Sequence, residues 1–100
     1  MPDKKIVWSI PAKDQFKKII AYIKKDSPQN AANVKKDILE KISGIINQPH
    51  KFPADKYKLL NNDNAYRVFE LHRIRISYFV DEKFIMIIRL GHTKQEPLFY

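Results

Sequence analysis

The sequence predicts an α+β fold with the element order β-α-α-β-β-β, in which an N-terminal helical hairpin packs on one face of a mainly antiparallel sheet. Three observations support this prediction. A short β-branched and aromatic run comes first, two segments with helical spacing follow, and the last third of the chain holds short apolar runs separated by turns. One hundred residues, 44% of them hydrophobic, suffice for one core but not for two, so we expect a single domain over residues 1–100.

A change of periodicity marks the first strand and the first helix. The run "KKIVWSI" is typical of a strand. The next segment, "PAKDQFKKIIAYIKKDSP", carries apolar residues at helical spacing, namely Ala12, Phe16, Ile19, Ile20 and Ile23. Ser9 can cap this helix, and Pro11 is tolerated in a first helical turn.

The second helix follows after a short link. Ser27 is a good N-cap and Pro28 a good first residue, because its missing N–H is not needed there. The apolar stripe comprises Ala31, Val34, Ile38, Ile42 and Ile45, widened by Leu39 and Ile46. Pro49 disfavours a helical Gln48, so the helix should end near Asn47. Two helices joined by so short a link form an antiparallel hairpin.

The remainder of the chain is predicted to be β. The runs "YKLL", "YRVFEL", "IRISYFV" and "FIMIIRL" are separated by "NNDN", "HR" and "DEK", which are plausible turns. Whether "YKLL" pairs decides between three and four strands in this part. The stretch before it, "NQPHKFPADK", reads as a loop fixed by two prolines.

Strand alternation predicts a charged cluster on the sheet face that the helices leave open. The apolar set Ile74, Ile76, Tyr78 and Val80 should face the helices, which places Arg75 on the other side. If "DEK" is a three-residue turn, Arg75 lies opposite Arg89. Two opposed arginines repel each other, so such a pair suggests an anion between them. The alternative is a solvated face.

The "HR" turn decides which other charges join the cluster. A two-residue turn places Glu70 opposite Arg75, where it can neutralise its neighbours. A three-residue turn brings Arg67 onto that face instead, because a slip of one residue reverses every side chain. In both cases Arg73 lies at the adjoining turn, and Arg67, Arg73 and Arg89 are candidate nucleic-acid contacts.

Charge and composition narrow the function. Nineteen Lys and Arg against eleven Asp and Glu give a net charge of +8, which favours a polyanion or an acidic protein as partner, although lysine also serves solubility. The chain has no cysteine and no apolar stretch of about 20 residues, which suits a soluble cytoplasmic protein without a membrane role. His50 and His72 are too scattered to suggest a metal site, and only two glycines occur, so we expect no metal, cofactor or phosphate loop.

The tail "RLGHTKQEPLFY" holds the candidate catalytic residues. A histidine such as His92 can accept or donate a proton near neutral pH. Arg75 and Lys94 suit a phosphate group, and Tyr100 can stack on a base or donate a proton. Cleavage of RNA through its 2′-hydroxyl needs these roles together, so Arg75, His92, Lys94 and Tyr100 are the candidate site. They can equally be ordinary surface residues.

The order of several segments resembles the RelE/ParE superfamily of bacterial toxins. The segments are the tryptophan in strand one, "AYIKKDSPQNAANV", "IINQP", "YRVFELHRIRISYFV" and "IIRLGHTKQEPLFY", and they run over nearly the whole chain. The resemblance implies a small basic toxin of a type II toxin–antitoxin system. It also implies a cognate antitoxin partner, whose acidic, partly disordered segment wraps and neutralises the toxin.

The superfamily implies two different activities. RelE-like members cut mRNA on the ribosome without a metal, and for them Arg75, Arg67, His92 and Lys94 resemble the basic and post-strand positions, with Tyr100 or Phe99 in the tail. Thr93 departs from the arginine that some nucleases carry. ParE-like members poison DNA gyrase by binding, and "SPQNAANV" with its helical hairpin resembles that branch. The tail and Arg75 favour metal-independent, ribosome-dependent mRNA cleavage, with gyrase poisoning as the alternative. An inactive member that only binds its antitoxin and regulates transcription is a further alternative.

Overall fold

The computed structural model of the protein describes residues 4–95 and 98–100. Its elements are β1 (Lys5–Trp8), α1 (Ile10–Asp26), α2 (Pro28–Ile45), β2 (Tyr66–Leu71), β3 (Ile74–Val80) and β4 (Phe84–His92). The sheet order is β1-β4-β3-β2, with β1 parallel to β4 and the other two pairs antiparallel. The predicted order of elements is therefore confirmed. The run "YKLL" lies outside the strands, which leaves three strands after the helices.

Two serines start the helices as the sequence predicts. The Ser9 hydroxyl accepts the Ala12 N–H at 3.1 Å, and the Ser27 hydroxyl accepts the Asn30 N–H at 3.1 Å. Each hydroxyl satisfies one of the N–H groups that a helix start leaves without a backbone partner. Ser27 also ends α1, because its own N–H donates to the Ile23 carbonyl at 3.0 Å. One residue therefore joins both helices and keeps the hairpin tight.

The core lies between the helical hairpin and one face of the sheet. Ala31, Val34, Ile38, Ile42 and Ile45 of the α2 stripe are buried as predicted, whereas Ile46 is partly buried and Leu39 is 39% exposed. The strands contribute Phe69, Ile74, Ile76, Tyr78, Ile85, Ile87 and Leu90. The Tyr78 hydroxyl donates to the Pro49 carbonyl at 2.8 Å, so this large side chain is buried with its polar atom satisfied. Burial raises the pKa of Tyr78 to about 12, and the nearby Arg67 partly offsets this.

The β2–β3 turn has two residues. Glu70 pairs with Arg75 and Leu71 with Ile74, and both turn residues, His72 and Arg73, have positive φ values of 53° and 62°. These values are typical of a two-residue type I′ hairpin turn, whose twist matches the strands that it joins. The structure thus selects the register that places Glu70, and not Arg67, beside Arg75.

The β3–β4 register differs from the expectation by two shifts of one residue each, in the same direction. Val80 pairs with Ile85 and not with Phe84, which shifts the register by one residue. A β-bulge then shifts it by one more, so that Ser77 pairs with Arg89 and Arg75 with Gly91. The predicted direct opposition of Arg75 and Arg89 is therefore wrong. Because two shifts of one residue restore the original face, Arg89 still points to the same side of the sheet as Arg75.

Side chains from the helix side hold this bulge. The Ser9 hydroxyl donates to the Ile88 carbonyl at 2.8 Å, and the Leu90 N–H donates to Gln15 Oε1 at 2.8 Å. A bulge frees backbone groups from the sheet ladder, and these two contacts satisfy them. The cap of α1 and the position of Arg89 are therefore coupled through the same short segment of β4.

Candidate functional site

Arg75, Ser77 and Arg89 lie together on the side of the sheet away from the helices, which we call the arginine face. Arg75 sits between charge and aromatic neighbours: Glu70 Oε1 is 3.7 Å from its Nη2, and its Cζ lies 5.5 Å from the Tyr57 ring centroid. Only 15% of the Arg75 side chain is exposed, and Ser77 is 1% exposed. The face is therefore not open, as alternation alone predicts, but largely covered.

The end of the tail forms part of this cover. The Tyr100 N–H donates to the Tyr57 carbonyl at 2.9 Å, and the Leu59 N–H donates to the Tyr100 backbone oxygen at 2.5 Å. The Tyr100 ring stacks on Arg89, whose Cζ is 3.8 Å from the ring centroid. A guanidinium stacked on an aromatic ring is attracted to its electron-rich face, more strongly when water is excluded. Tyr100 thus lies directly over one of the two arginines.

Asp55 anchors Tyr100 and was not predicted from the sequence. It is 2% exposed, and its Oδ2 accepts the Tyr100 hydroxyl at 2.6 Å. Its Oδ1 accepts the Tyr57 N–H at 3.0 Å, which is the side-chain turn that an aspartate in a loop typically makes. The turn composition of "FPADK" points to such a local contact. The contact to a residue 45 positions later has no sequence signal.

The environment of Tyr100 keeps its proton in place. Burial raises the pKa of the Tyr100 hydroxyl far above its usual range, and the hydrogen bond to Asp55 raises it further. The Ser77 hydroxyl and the positive charge of Arg89 partly offset this rise in pKa. A hydroxyl that already donates to a buried carboxylate is a poor proton donor to any other group. In this arrangement Tyr100 stacks on Arg89 and holds the tail rather than supplying a proton.

A cavity of about 200 Å³ lies on the arginine face. Its lining includes Arg75, Ser77 and Arg89 from the strands and Gln95 and Leu98 from the tail. Two buried polar atoms among its lining residues, Ser77 Oγ and Arg89 Nη2, make no hydrogen bond of normal geometry among the described residues. The Ser77 hydroxyl lies near the Tyr100 hydroxyl and lowers the pKa of that group, but the contact is too poorly aligned to satisfy Ser77 Oγ. Buried polar groups are normally satisfied, so this pair is unusual.

His92 lies at the border between two cavities. It pairs with Ile74, which places its side chain toward the helices and not on the arginine face. Its Nδ1 accepts the Lys94 N–H at 3.1 Å, so in the neutral ring the proton is on Nε2. Lys94 is exposed beyond the end of β4. His92 and Lys94 therefore contact each other, but neither takes part in the stacking of Tyr100 on Arg89.

The second cavity is a groove of about 900 Å³ between the helical hairpin and the ends of β3 and β4. Its apolar lining is contributed by Ile19, Tyr22, Ile23, Val34, Ile74 and Leu90. Basic residues lie along it, including Lys18, Arg73 and Lys94. Arg73 belongs to this groove and is separate from the arginine face.

Arg67 lies on the helix side of the sheet, opposite Tyr78. Its Nη1 donates to the carbonyls of His50 and Phe52 at 3.1 and 2.7 Å, and its Nε donates to the Asn64 carbonyl at 3.1 Å. These bonds tie the loop before β2 to the sheet. Arg67 therefore has a structural role, and it lies on the opposite side of the sheet from Arg75.

Comparison with known proteins places this fold. A family model described as "ParE toxin of type II toxin-antitoxin system, parDE" matches residues 6–97. The chain belongs to the ParE toxin family. The resemblance to the RelE/ParE superfamily is thereby confirmed. A search of curated proteins gives no significant match.

Solved structures of two toxin–antitoxin systems share the ParE fold seen here. One is the chromosomal ParDE system from P. aeruginosa, with a TM-score of 0.73 at 16% identity over 92% of this chain and 98% of that chain. The other is the RelBE2 toxin–antitoxin complex from Mycobacterium tuberculosis, with a TM-score of 0.57 at 16% identity over 92% of this chain and 93% of that chain. At this identity the likeness concerns the fold.

Two further features of the described residues concern membrane-spanning helices and clusters of metal-binding side chains. None of the helices in residues 4–95 and 98–100 is long and apolar enough to cross a membrane. Within the same described residues, no group of three or more His, Cys, Asp or Glu side chains is placed to hold a metal ion.

Proposed function

We propose that this ParE-family toxin arrests growth in the cytoplasm by binding DNA gyrase and that a cognate antitoxin neutralises it. The observation that carries the choice of binding over cutting is the state of the tail. The Tyr100 ring covers Arg89 at 3.8 Å, and its hydroxyl donates to Asp55 at 2.6 Å. Two of the residues that an RNA-cutting site would use are thus engaged with each other and with a buried carboxylate.

The helical hairpin offers the surface for such binding. Its outer side is basic, with exposed lysines at 13, 17, 18, 24, 25, 35 and 36. The aromatic ring of Tyr22 is also exposed, at 71%. A basic surface with an exposed aromatic residue suits an acidic protein partner, because charge guides the encounter and tyrosine is enriched among the few residues that dominate binding energy.

An acidic antitoxin segment fits the groove beside the hairpin. The groove has an apolar lining and basic residues such as Lys18, Arg73 and Lys94. An amphipathic acidic segment can bury its apolar side there and pair its carboxylates with these residues. This supports a cognate antitoxin as partner.

Induction of the chain alone in bacterial cells tests the proposal. We expect arrested growth, broken chromosomal DNA and intact mRNA within minutes, and normal growth when the antitoxin is co-expressed. Within the proposed mode, Tyr22→Ala should reduce toxicity more than Arg75→Ala, which removes a largely covered side chain. Equal toxicity of the Tyr22 variant, with unchanged gyrase binding, would count against a hairpin interface.

Ribosome-dependent cleavage of mRNA is the second candidate, favoured by one observation. Arg75, Arg89 and His92 border the same cavity of about 200 Å³, so movement of the tail would expose two cations beside a histidine. This candidate requires Arg75→Ala and His92→Ala each to abolish toxicity while the fold and antitoxin binding persist. Retained toxicity in both variants would eliminate it, and a wild-type chain that arrests nothing would identify an inactive member.

A further inference from the structure

We propose that the cavity between Arg75, Ser77 and Arg89 is a binding site for one carboxylate group, presented by an acidic side chain of a partner peptide. The inference rests on the proposed antitoxin only for the source of that carboxylate. The first argument is the pair of unsatisfied groups. Ser77 Oγ and Arg89 Nη2 are buried and make no hydrogen bond of normal geometry among the described residues, and both are donors that an oxyanion would satisfy.

The size of the cavity supports a single small group. Sites for whole small molecules usually measure about 300–1,000 Å³. This cavity, at about 200 Å³, is smaller than that range. Its lining also includes the apolar side chain of Leu98 and the amide of Gln95. One carboxylate can accept from the two unsatisfied donors while the carbon chain behind it contacts Leu98.

The charge around the cavity supports a singly charged ligand. Arg75 and Arg89 contribute two positive charges, and the Glu70 carboxylate lies 3.7 Å from Arg75. Glu70 is more than half exposed, so water screens its charge. The buried Asp55 carboxylate does not line the cavity and accepts the Tyr100 hydroxyl, so among the described residues the charges that border the cavity directly are those of the two arginines. A hydrogen bond from a guanidinium to a carboxylate is about twice as strong as one between neutral groups.

The position of the cavity indicates how a peptide reaches it. Gln15, Leu90, Gly91, His92 and Gln95 border both this cavity and the groove beside the hairpin. A segment bound in the groove can therefore place one acidic side chain past His92 and onto the arginine face. This continuity favours a side chain of a bound peptide over a free anion.

Titration of the purified chain tests the site directly. The probes are the peptide acetyl-Ala-Glu-Ala-amide, its Gln counterpart, sodium acetate and inorganic phosphate, each at the same ionic strength. The readout is the NMR shift of the arginine Nε–H signals and of the Ser77 amide. We expect the Glu peptide and acetate to shift these signals with saturation, and the Gln peptide to bind about tenfold more weakly or not at all.

Variants separate the site from general charge. Ser77→Ala removes a hydroxyl that makes no hydrogen bond of normal geometry among the described residues, although it lies beside the Tyr100 hydroxyl. The variant should therefore fold and should weaken binding of the Glu peptide several-fold. Arg89→Gln should abolish binding, whereas Lys36→Gln removes an equal charge from an exposed position on α2 and should change nothing. Equal binding of the Glu and Gln peptides, binding of phosphate alone, or an unaffected Arg89 variant would each overturn the inference. Failure of the antitoxin to neutralise toxicity would refute the proposed function and leave this result standing.

Discussion

Tyr100 and Arg89 stack with 3.8 Å between the ring centroid and Cζ, and the tyrosine hydroxyl reaches over to the buried Asp55. The contact joins the last residue of the chain to a loop carboxylate and a strand cation. Because of this contact, the sheet face that strand alternation predicts to be exposed is covered by the tail. The stability of this cover, and what lies beneath it, can be measured.

The hydrogen bond between Asp55 and Tyr100 should appear as a coupling energy. We expect Asp55→Asn to destabilise the fold, because it removes a charged acceptor from a buried position. Tyr100→Phe should do so less, and the double variant should cost less than the sum of the two, by about 1–2 kcal/mol. Urea unfolding of the four proteins gives this cycle. Strictly additive effects would mean that the contact contributes nothing.

Alkaline pH should weaken the fold through Tyr78. The folded pKa of Tyr78 is about 12 against an ordinary value of 10.0, so its contribution is complete below pH 10 and is lost as pH rises toward 12. The free energy of unfolding should therefore fall between pH 10 and 11.5. In Tyr78→Phe, which lacks the titrating group, the decline over this range should be smaller. Parallel curves for the two proteins would contradict the assignment.

The two helix-capping serines should differ in their importance. Ser27→Ala removes one cap, which typically costs about 1 kcal/mol. Ser9→Ala removes a cap and also the hydrogen bond to the Ile88 carbonyl in the bulge, so it should cost more, by roughly 0.5–1.5 kcal/mol. Denaturant midpoints of the two variants make a matched comparison. A larger effect at Ser27 would show that the bulge does not depend on Ser9.

The α2 stripe should be sensitive only on its buried side. Ile38 is 0% exposed and Leu39, its neighbour, is 39% exposed. Ile38→Ala leaves a cavity in the core and should cost about 2–5 kcal/mol, whereas Leu39→Ala should cost clearly less. Thermal unfolding of both variants checks this. Similar losses at the two positions would mean that Leu39 belongs to the core.

The sequence predicted the helices and their caps well, because these features depend mainly on interactions between residues close together in the chain. The caps at Ser9 and Ser27 and the stripe through Ile38 and Ile42 depend on neighbours within a few turns, so the sequence reveals them. The register of β4 was wrong by two residues at Arg75, since neither the turn length nor the bulge at Ile88 has a distinctive residue pattern. A bulge held by Ser9 and Gln15 depends on contacts across 75 or more positions.

The site was predicted less completely for the same reason. Alternation correctly placed Arg75 on the face away from the helices, and Arg89 stayed on that face because the two register shifts add up to an even number. It could not show that Tyr100 returns to cover Arg89, or that Asp55 holds it there, because these contacts bridge distant loops. His92 pairs with Ile74, whose side chain faces the helices, and it also borders the cavity that Arg75 and Arg89 line.

The most direct test of the central claim is a supercoiling assay with purified DNA gyrase, relaxed plasmid and increasing amounts of this protein. The account predicts inhibition of supercoiling with accumulation of cleaved plasmid, retained by Arg75→Ala and lost in Tyr22→Ala, together with uncut mRNA in a translating extract. The account would be contradicted if gyrase stayed fully active in the presence of the wild-type chain while the extract's mRNA was cut by the wild-type chain and left intact by the Arg75→Ala variant.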